Sequence, residues 1–117
     1  MSTLDMTKTK SDIPHGTLDL LILRTLDTMG PLHGYAIARR LEQVGGGTTR
    51  LSQGAVYPAL IRLEQQELIR TQWGLSETNR EVKFYELTPP GAAHLRKEIA
   101  SWEQSTALIA KFLGARP

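Results

Sequence analysis

Cysteine is absent from this chain of 117 residues, and its apolar runs are short. Without thiols there is no disulfide framework, no thiolate metal site and no cysteine nucleophile, which fits a reducing compartment. Runs such as Leu20–Leu23 are far shorter than the roughly 20 apolar residues that span a bilayer, and the polar start MSTLDMTKTKSD lacks the apolar stretch of a signal peptide. We therefore expect a cytoplasmic protein without a membrane partner.

An excess of charge of one sign is also missing. The chain has 14 Lys and Arg against 12 Asp and Glu, a net charge of +2 at pH 7. Bulk charge therefore does not indicate a polyanionic partner, and the clustering of the cations on one face matters more. A chain of this length buries only about two-thirds of its unfolded surface when it folds alone, so a partner subunit is plausible.

Residues that carry enzyme or metal chemistry are sparse. His15, His33 and His94 lack metal-ligand spacing, and neither a G-x-S-x-G element nor a carboxylate dyad is evident. Gly45-Gly46-Gly47 is not followed by Gly-Lys-Ser/Thr and is not preceded by an apolar strand, so it indicates a flexible loop rather than a phosphate-binding loop. We expect no enzyme, no metal site and no cofactor.

Three segments of the first half have the apolar periodicity of helices. The first has Thr17 as its predicted N-cap and ends at Gly30-Pro31, and the second covers 35–44 and ends at the glycines. The third has Ser52 as its predicted cap, with Pro58 predicting a kink or an irregular first turn. The predicted inward residues of the three helices are Leu18, Leu21, Ile22, Leu26 and Met29; Ile37, Leu41 and Val44; and Val56, Leu60 and Leu63.

Two strand patterns follow at 68–73 and 82–87, separated by the polar segment 75–80. Because an isolated hairpin is marginal in water, its apolar side, including Ile69, Tyr85 and Leu87, is expected to lie on the helices. Arg80 and Lys83 flank the turn and would suit phosphate oxygens, although a charged edge that discourages strand aggregation has the same pattern.

Thr88-Pro89-Pro90 predicts the start of a fourth helix, which runs to about Leu113. Its apolar residues recur at spacings of three and four, which predicts a narrow contact seam. These residues are Ala92, Leu95, Ile99, Trp102, Thr106, Ile109 and Leu113. The seam either packs on its own domain or forms a dimer. Leu20 and Leu23 add a second apolar side to helix 1, which favours a dimer.

The order of these elements predicts an α+β, mostly helical fold: a winged helix-turn-helix with a long C-terminal dimerisation helix. The expected divisions are a flexible arm (1–12), the winged helix-turn-helix (13–88), the dimerisation helix (89–113) and a tail (114–117). The free side of helix 3 would face DNA with Ser52, Gln53, Tyr57 and Arg62. Gln53 could instead be a solvated residue near the cap, and Tyr57 a partly buried core aromatic.

The chain resembles the PadR-like transcriptional regulators over about residues 16–113. The resemblance is carried by GTLDLLILRTL in helix 1, GPLHGYAIARRLE in helix 2, QGAVYPALIRLEQQELI in helix 3 and KFYELTPPG at the entry to helix 4. The short stretch after the wing is similar to the compact subfamily with one C-terminal helix. The resemblance implies a winged-helix homodimer, joined through helix 4 with help from helix 1, that represses promoters and is released by small molecules.

By position, the resemblance implies a DNA-contacting set at the start of helix 2 (His33 and Tyr35), in the recognition helix (Ser52, Gln53, Tyr57 and Arg62) and in the wing (Arg80 and Lys83). It also places Trp102 where related multidrug-binding regulators stack planar aromatic ligands, whereas packing alone would make this indole part of the interface core. The expected partner is a pseudo-palindromic operator in double-stranded DNA. The alternative is a module for small-molecule or protein binding with little role on DNA.

Overall fold

The computed structural model describes residues 15–46 and 53–114. Within these ranges the chain forms four helices and three strands. They are α1 (His15–Met29), β1 (Leu32–His33), α2 (Gly34–Gly45), α3 (Gln53–Gln65), β2 (Ile69–Leu75), β3 (Glu81–Leu87) and α4 (Pro89–Phe112). The predicted arm (1–12), the cap at Ser52, Gly47 and residues 115–117 lie outside the described residues. The arrangement is the predicted winged helix-turn-helix, with the β2–β3 hairpin as the wing.

The ends of the helices follow local backbone chemistry. Gly30 has φ 82° and its N–H donates to the carbonyl of Leu26 at 3.0 Å, which ends α1 as predicted. Gly46 has φ 63° and ends α2 in the same way. The predicted N-cap at Thr17 is wrong, because α1 already begins at His15. α3 continues through Pro58, the sixth residue of the helix, where the missing N–H removes one backbone hydrogen bond but does not end the helix.

The core lies between the three small helices and the base of the wing. Its completely or almost completely buried side chains include Ile22, Leu23, Ile37, Val56, Leu60, Leu63 and Ile69. The helical periodicity therefore identified the inward stripes of α2 and α3, with one exception. Val44 is 70% exposed, because it belongs to the last turn of α2, which extends past the core. Met29 is likewise exposed at the end of α1.

The sheet has the order β1-β3-β2, and both pairings are antiparallel. In the wing, Ile69 pairs with Leu87 and Thr71 with Tyr85, and the buried side chains of Ile69 and Tyr85 hold the hairpin on the helices as predicted. The two-residue strand β1 was not predicted. It pairs Leu32 with Tyr85 and thereby joins the turn between α1 and α2 to the wing.

Thr88 connects the wing to α4. Its hydroxyl Oγ1 accepts a hydrogen bond from the N–H of Gly91 at 3.0 Å and donates to the carbonyl of Glu67 at 2.8 Å. With Pro89 and Pro90 in the first turn, this is the predicted helix start. None of the helices in the described ranges is long and apolar enough to cross a bilayer.

Candidate nucleic-acid interface

A cleft of about 660 Å³ lies between the first turns of α2, the exposed side of α3 and the wing. We call it the cationic cleft, and its principal side chains are His33, Tyr35, Arg39, Tyr57, Arg80 and Lys83. Five of these six were predicted as DNA-contacting residues, from three separate parts of the sequence. The fold brings them together because β1, which directly precedes α2, pairs with β3 of the wing.

Arg39 is the one of these six residues that was not predicted for the site. It lies on α2, is exposed, and contributes to the same cleft as Arg80 and Lys83. The position of Arg39 in the sequence gave a signal, since a cation between the buried Ala38 and Leu41 must face outward on α2. What the sequence did not indicate is that this outward side borders the wing.

The cleft has an aromatic wall. The rings of His33 and Tyr35 are nearly parallel, with an interplanar angle of 9° and centroids 6.4 Å apart. The ring of Phe84 on β3 lies nearly perpendicular to the ring of His33, with an interplanar angle of 78° and centroids 5.8 Å apart. His33 thus lies between the rings of Tyr35 and Phe84 in the sense that it contacts both, while Tyr35 remains 55% exposed.

Tyr57 reaches the cleft from α3 by packing on Gly34. A Cβ built on Gly34 would lie 2.5–2.7 Å from Cε1, Cζ and Oη of the Tyr57 ring, so only glycine permits this approach. The side chain of Tyr57 nevertheless stays 39% exposed. Both interpretations of Tyr57 therefore apply: its ring packs between α3 and α2, and part of the residue remains accessible.

The electrostatic character of the cleft is positive. Arg39, Arg80 and Lys83 line it, and among the lining residues only Glu77 carries an opposite charge. Within residues 15–46 and 53–114, the ion pairs involve other side chains and leave these three cations unpaired. On the wall of the cleft, burial raises the pKa of Tyr85, and Tyr57 and Glu64 act in the same direction, so the phenol stays neutral.

Arg62 is separated from this group. Its Nη2 lies 2.7 Å from Oδ1 of Asp19 on α1, and both side chains are largely shielded. The guanidinium is therefore directed toward its own domain and lies outside the cleft. Of the other predicted residues of helix 3, Ser52 and the side chain of Gln53 lie outside the described residues, although the backbone of Gln53 begins α3.

The five predicted interface or ligand residues of α4 divide into two groups. Leu95 is buried and Ile99 packs on the core of its own domain. Trp102, Thr106 and Ile109 are exposed, and the Thr106 hydroxyl donates to the carbonyl of Trp102 at 2.8 Å. The first half of the seam thus packs within the chain, whereas the second half presents an unpaired apolar surface.

Taken together, the fold and the cleft define a winged helix-turn-helix protein. The chain belongs to the PadR-like family: residues 22–97 match the family described as the transcriptional regulator PadR-like family. This confirms the resemblance inferred from the four sequence motifs and assigns the chain to a family of transcriptional regulators, not enzymes. In the described part of the chain no group of three or more His, Cys, Asp or Glu residues could hold a metal ion.

Solved structures agree with this assignment. A PadR family transcriptional regulator from Eggerthella lenta is 30% identical, with a TM-score of 0.73 over 86% of this chain and 85% of that one. A PadR family regulator from Clostridium difficile is 28% identical, with a TM-score of 0.73 over 84% of this chain and 99% of that one.

One curated relative is closer in sequence but much longer. It is an uncharacterised 37.1 kDa protein in transposon TN4556 of Streptomyces fradiae, 47% identical over 72 residues. The match covers 62% of this chain and 19% of that protein, so the matched segment spans about a fifth of the relative's length.

Proposed function

We propose that the protein is a homodimeric, sequence-specific DNA-binding repressor that a small-molecule ligand releases from its operator. In this proposal residues 13–88 bind DNA, and residues 89–113 join the two copies. The observation that carries the DNA-binding part is the cationic cleft: Arg39, Arg80 and Lys83 come from α2 and the wing, and all three lie beside α3 without an ion-pair partner in the described residues.

The shape of the site favours duplex DNA over other polyanions. A helix can enter the major groove while a wing lies on the neighbouring backbone, which places base contacts on α3 and phosphate contacts on Arg80 and Lys83. His33 and Tyr35 are then at the rim of the same surface. In a dimer with two-fold symmetry, two such surfaces would face the half-sites of a pseudo-palindromic operator.

Support for the dimer comes from the second half of α4. Trp102 is 59% exposed and Ile109 is 56% exposed, and Leu108, Phe112 and Leu113 extend the apolar surface. Exposed apolar surface of this kind on a long helix is typical of an interface between subunits. The half-buried Leu20 of α1 would extend that interface.

The experiment that tests DNA binding starts with duplexes enriched by the protein from a pool with a randomised centre. Mobility shifts of an enriched duplex and of a scrambled duplex are measured in rising salt. We expect preference for the enriched duplex and a linear loss of log affinity with log salt, at a slope of about 0.9 per neutralised phosphate. Equal affinity for both duplexes at every salt concentration would contradict a sequence-specific regulator.

A second candidate function, a small-molecule-binding module with little role on DNA, is favoured by the exposure of Trp102. An indole on an apolar surface between two subunits suits a planar aromatic ligand. Titration of planar aromatic dyes into the Trp73→Phe variant, in which Trp102 is the remaining tryptophan, measures this directly. Quenching that also weakens DNA binding supports the released repressor, whereas quenching in a protein without sequence preference supports the second candidate.

A further inference from the structure

The outward face of α3 is mostly apolar. Gly54, Pro58, Ile61 and Gln65 follow each other at spacings of four, three and four, which places them on one side of the helix. All four are exposed, whereas Val56, Leu60 and Leu63 on the opposite side are 0–1% exposed. The only polar side chain among the four is Gln65, which is the last residue of α3.

Two charged residues on the flanks of α3 are engaged within the protein. Arg62 pairs with Asp19 on α1, and the Glu64 carboxylate accepts a hydrogen bond from Thr71 on the wing at 3.3 Å. Because both side chains are held by these contacts, neither covers the apolar residues in the middle of the outward face. The centre of the outward face presents the ring of Pro58 and the side chain of Ile61, which is 56% exposed.

The surroundings of this face indicate what covers it. Tyr57 is one helical turn from Ile61 and lines the cationic cleft with Arg80 and Lys83. The apolar face thus adjoins the cationic cleft, and charge complementarity favours a polyanion over an apolar protein surface. The apolar group that duplex DNA offers in the major groove is the 5-methyl group of thymine.

We propose that Ile61, with Pro58 beside it, contacts thymine methyl groups in each operator half-site, so that α3 recognises these bases by apolar contact. Gly54 lacks a side chain and allows the first turn of α3 to approach the groove closely. The proposal rests on the proposed function, since it names the bases that the same surface recognises. It makes Ile61 a specificity-determining residue, although the sequence pattern suggested no role for it.

The test removes the thymine methyl groups from the DNA and, separately, most of the Ile61 side chain from the protein. Each thymine of the enriched duplex is replaced in turn by deoxyuridine, and affinity is measured by fluorescence anisotropy. At one or more positions in each half-site we expect about four-fold weaker binding, the change that corresponds to losing burial of one methyl-sized group. The Ile61→Ala variant should lose this sensitivity at the same positions, and Ile61→Val should retain part of it.

Val44→Ala is the matched control, because Val44 is an exposed apolar residue at the far end of α2. It should keep the full sensitivity to deoxyuridine. The proposal is overturned if no thymine position is sensitive, or if the sensitivity is unchanged in Ile61→Ala. Loss of the dimer in Ile61→Ala, measured by light scattering, would show instead that this face is covered by protein. Failure of the proposed function is a different result, since then no duplex is enriched at all.

Discussion

The phenol group of Tyr57 packs directly on Gly34, where a Cβ would lie 2.5–2.7 Å from two ring carbons and the hydroxyl oxygen of Tyr57. The contact joins α3 to the first residue of α2, and it leaves Tyr57 directed toward the cationic cleft. Gly34 is therefore required for the room it leaves and not for an unusual backbone angle. This differs from Gly30 and Gly46, which end helices with positive φ.

Gly34→Ala is expected to lower the free energy of unfolding by about 1–3 kcal/mol, because the tip of the Tyr57 side chain must shift to make room for the added methyl group. Thermal or urea denaturation measures this change. Gly16→Ala is the control, because a Cβ there meets nothing within 4 Å, and its effect should stay within about 1 kcal/mol or be stabilising. Combining Gly34→Ala with Tyr57→Leu should restore part of the loss, and unchanged stability of Gly34→Ala alone would contradict the close contact.

Arg80→Ala combined with Lys83→Ala is expected to weaken binding to enriched and scrambled duplexes by similar factors, because phosphate contacts carry little sequence information. The slope of log affinity against log salt should fall by about 1.8, or 0.9 for each lost phosphate contact. Arg96→Ala with Lys97→Ala is the matched control, since these two exposed cations lie on α4 outside the cleft. A loss confined to one base pair would argue against phosphate contacts.

The Arg62–Asp19 pair yields a prediction that separates structure from DNA contact. A double-mutant cycle with Arg62→Ala and Asp19→Ala should give a coupling energy of about 0.5–1 kcal/mol in urea denaturation. The coupling is modest because 31% of the Arg62 side chain and 23% of the Asp19 side chain remain exposed to solvent. Arg62→Ala alone should leave the salt slope of DNA binding unchanged. A slope reduced by about 0.9 would instead mean that Arg62 leaves Asp19 for a phosphate.

Ile109→Asp is expected to disrupt the proposed dimer, because it would bury a carboxylate in the apolar contact of α4. Since Ile109 is 56% exposed in the single chain, the fold itself should be retained, with circular dichroism unchanged and the mass in light scattering halved. Gln104→Asp, an exposed change on the opposite side of α4, is the control. Ile99→Asp is a poorer test, because Ile99 packs on the core of its own domain. A dimer that survives Ile109→Asp would place the interface elsewhere.

Local chemistry made much of the fold predictable. The inward stripe of α3, the glycine ends of α1 and α2 and the start of α4 at Thr88 depend on helical spacing and on groups within a few residues, and the sequence contains that information. β1 was missed because a strand of two residues has no periodicity, and it exists only through its pairing with Tyr85 and Phe84. Val44 was wrongly predicted to face inward, because helical periodicity does not indicate where along the helix the core ends.

The candidate site was predictable by residue type but not by arrangement. Arg80 and Lys83 were identified because they border a polar turn. The cleft that joins them to Arg39 depends on how the wing packs against α2, which is a tertiary contact. Arg62 and Asp19 are separated by 43 positions of sequence. Helical spacing predicts that Arg62 lies away from the core side of α3, but it does not identify a partner so far away in the sequence. The same limit explains why the two halves of the α4 seam were not distinguished.

The short strand β1 also determines how the wing can move. Because Leu32 and His33 pair with Tyr85 and Phe84, the hairpin is tied at mid-length to the residues that begin α2. A displacement of the C-terminal end of α1 would therefore also move the middle of β3, and with it the turn that carries Arg80. In the proposed dimer, a change in the separation of the two subunits would therefore also change the distance between their two wing turns.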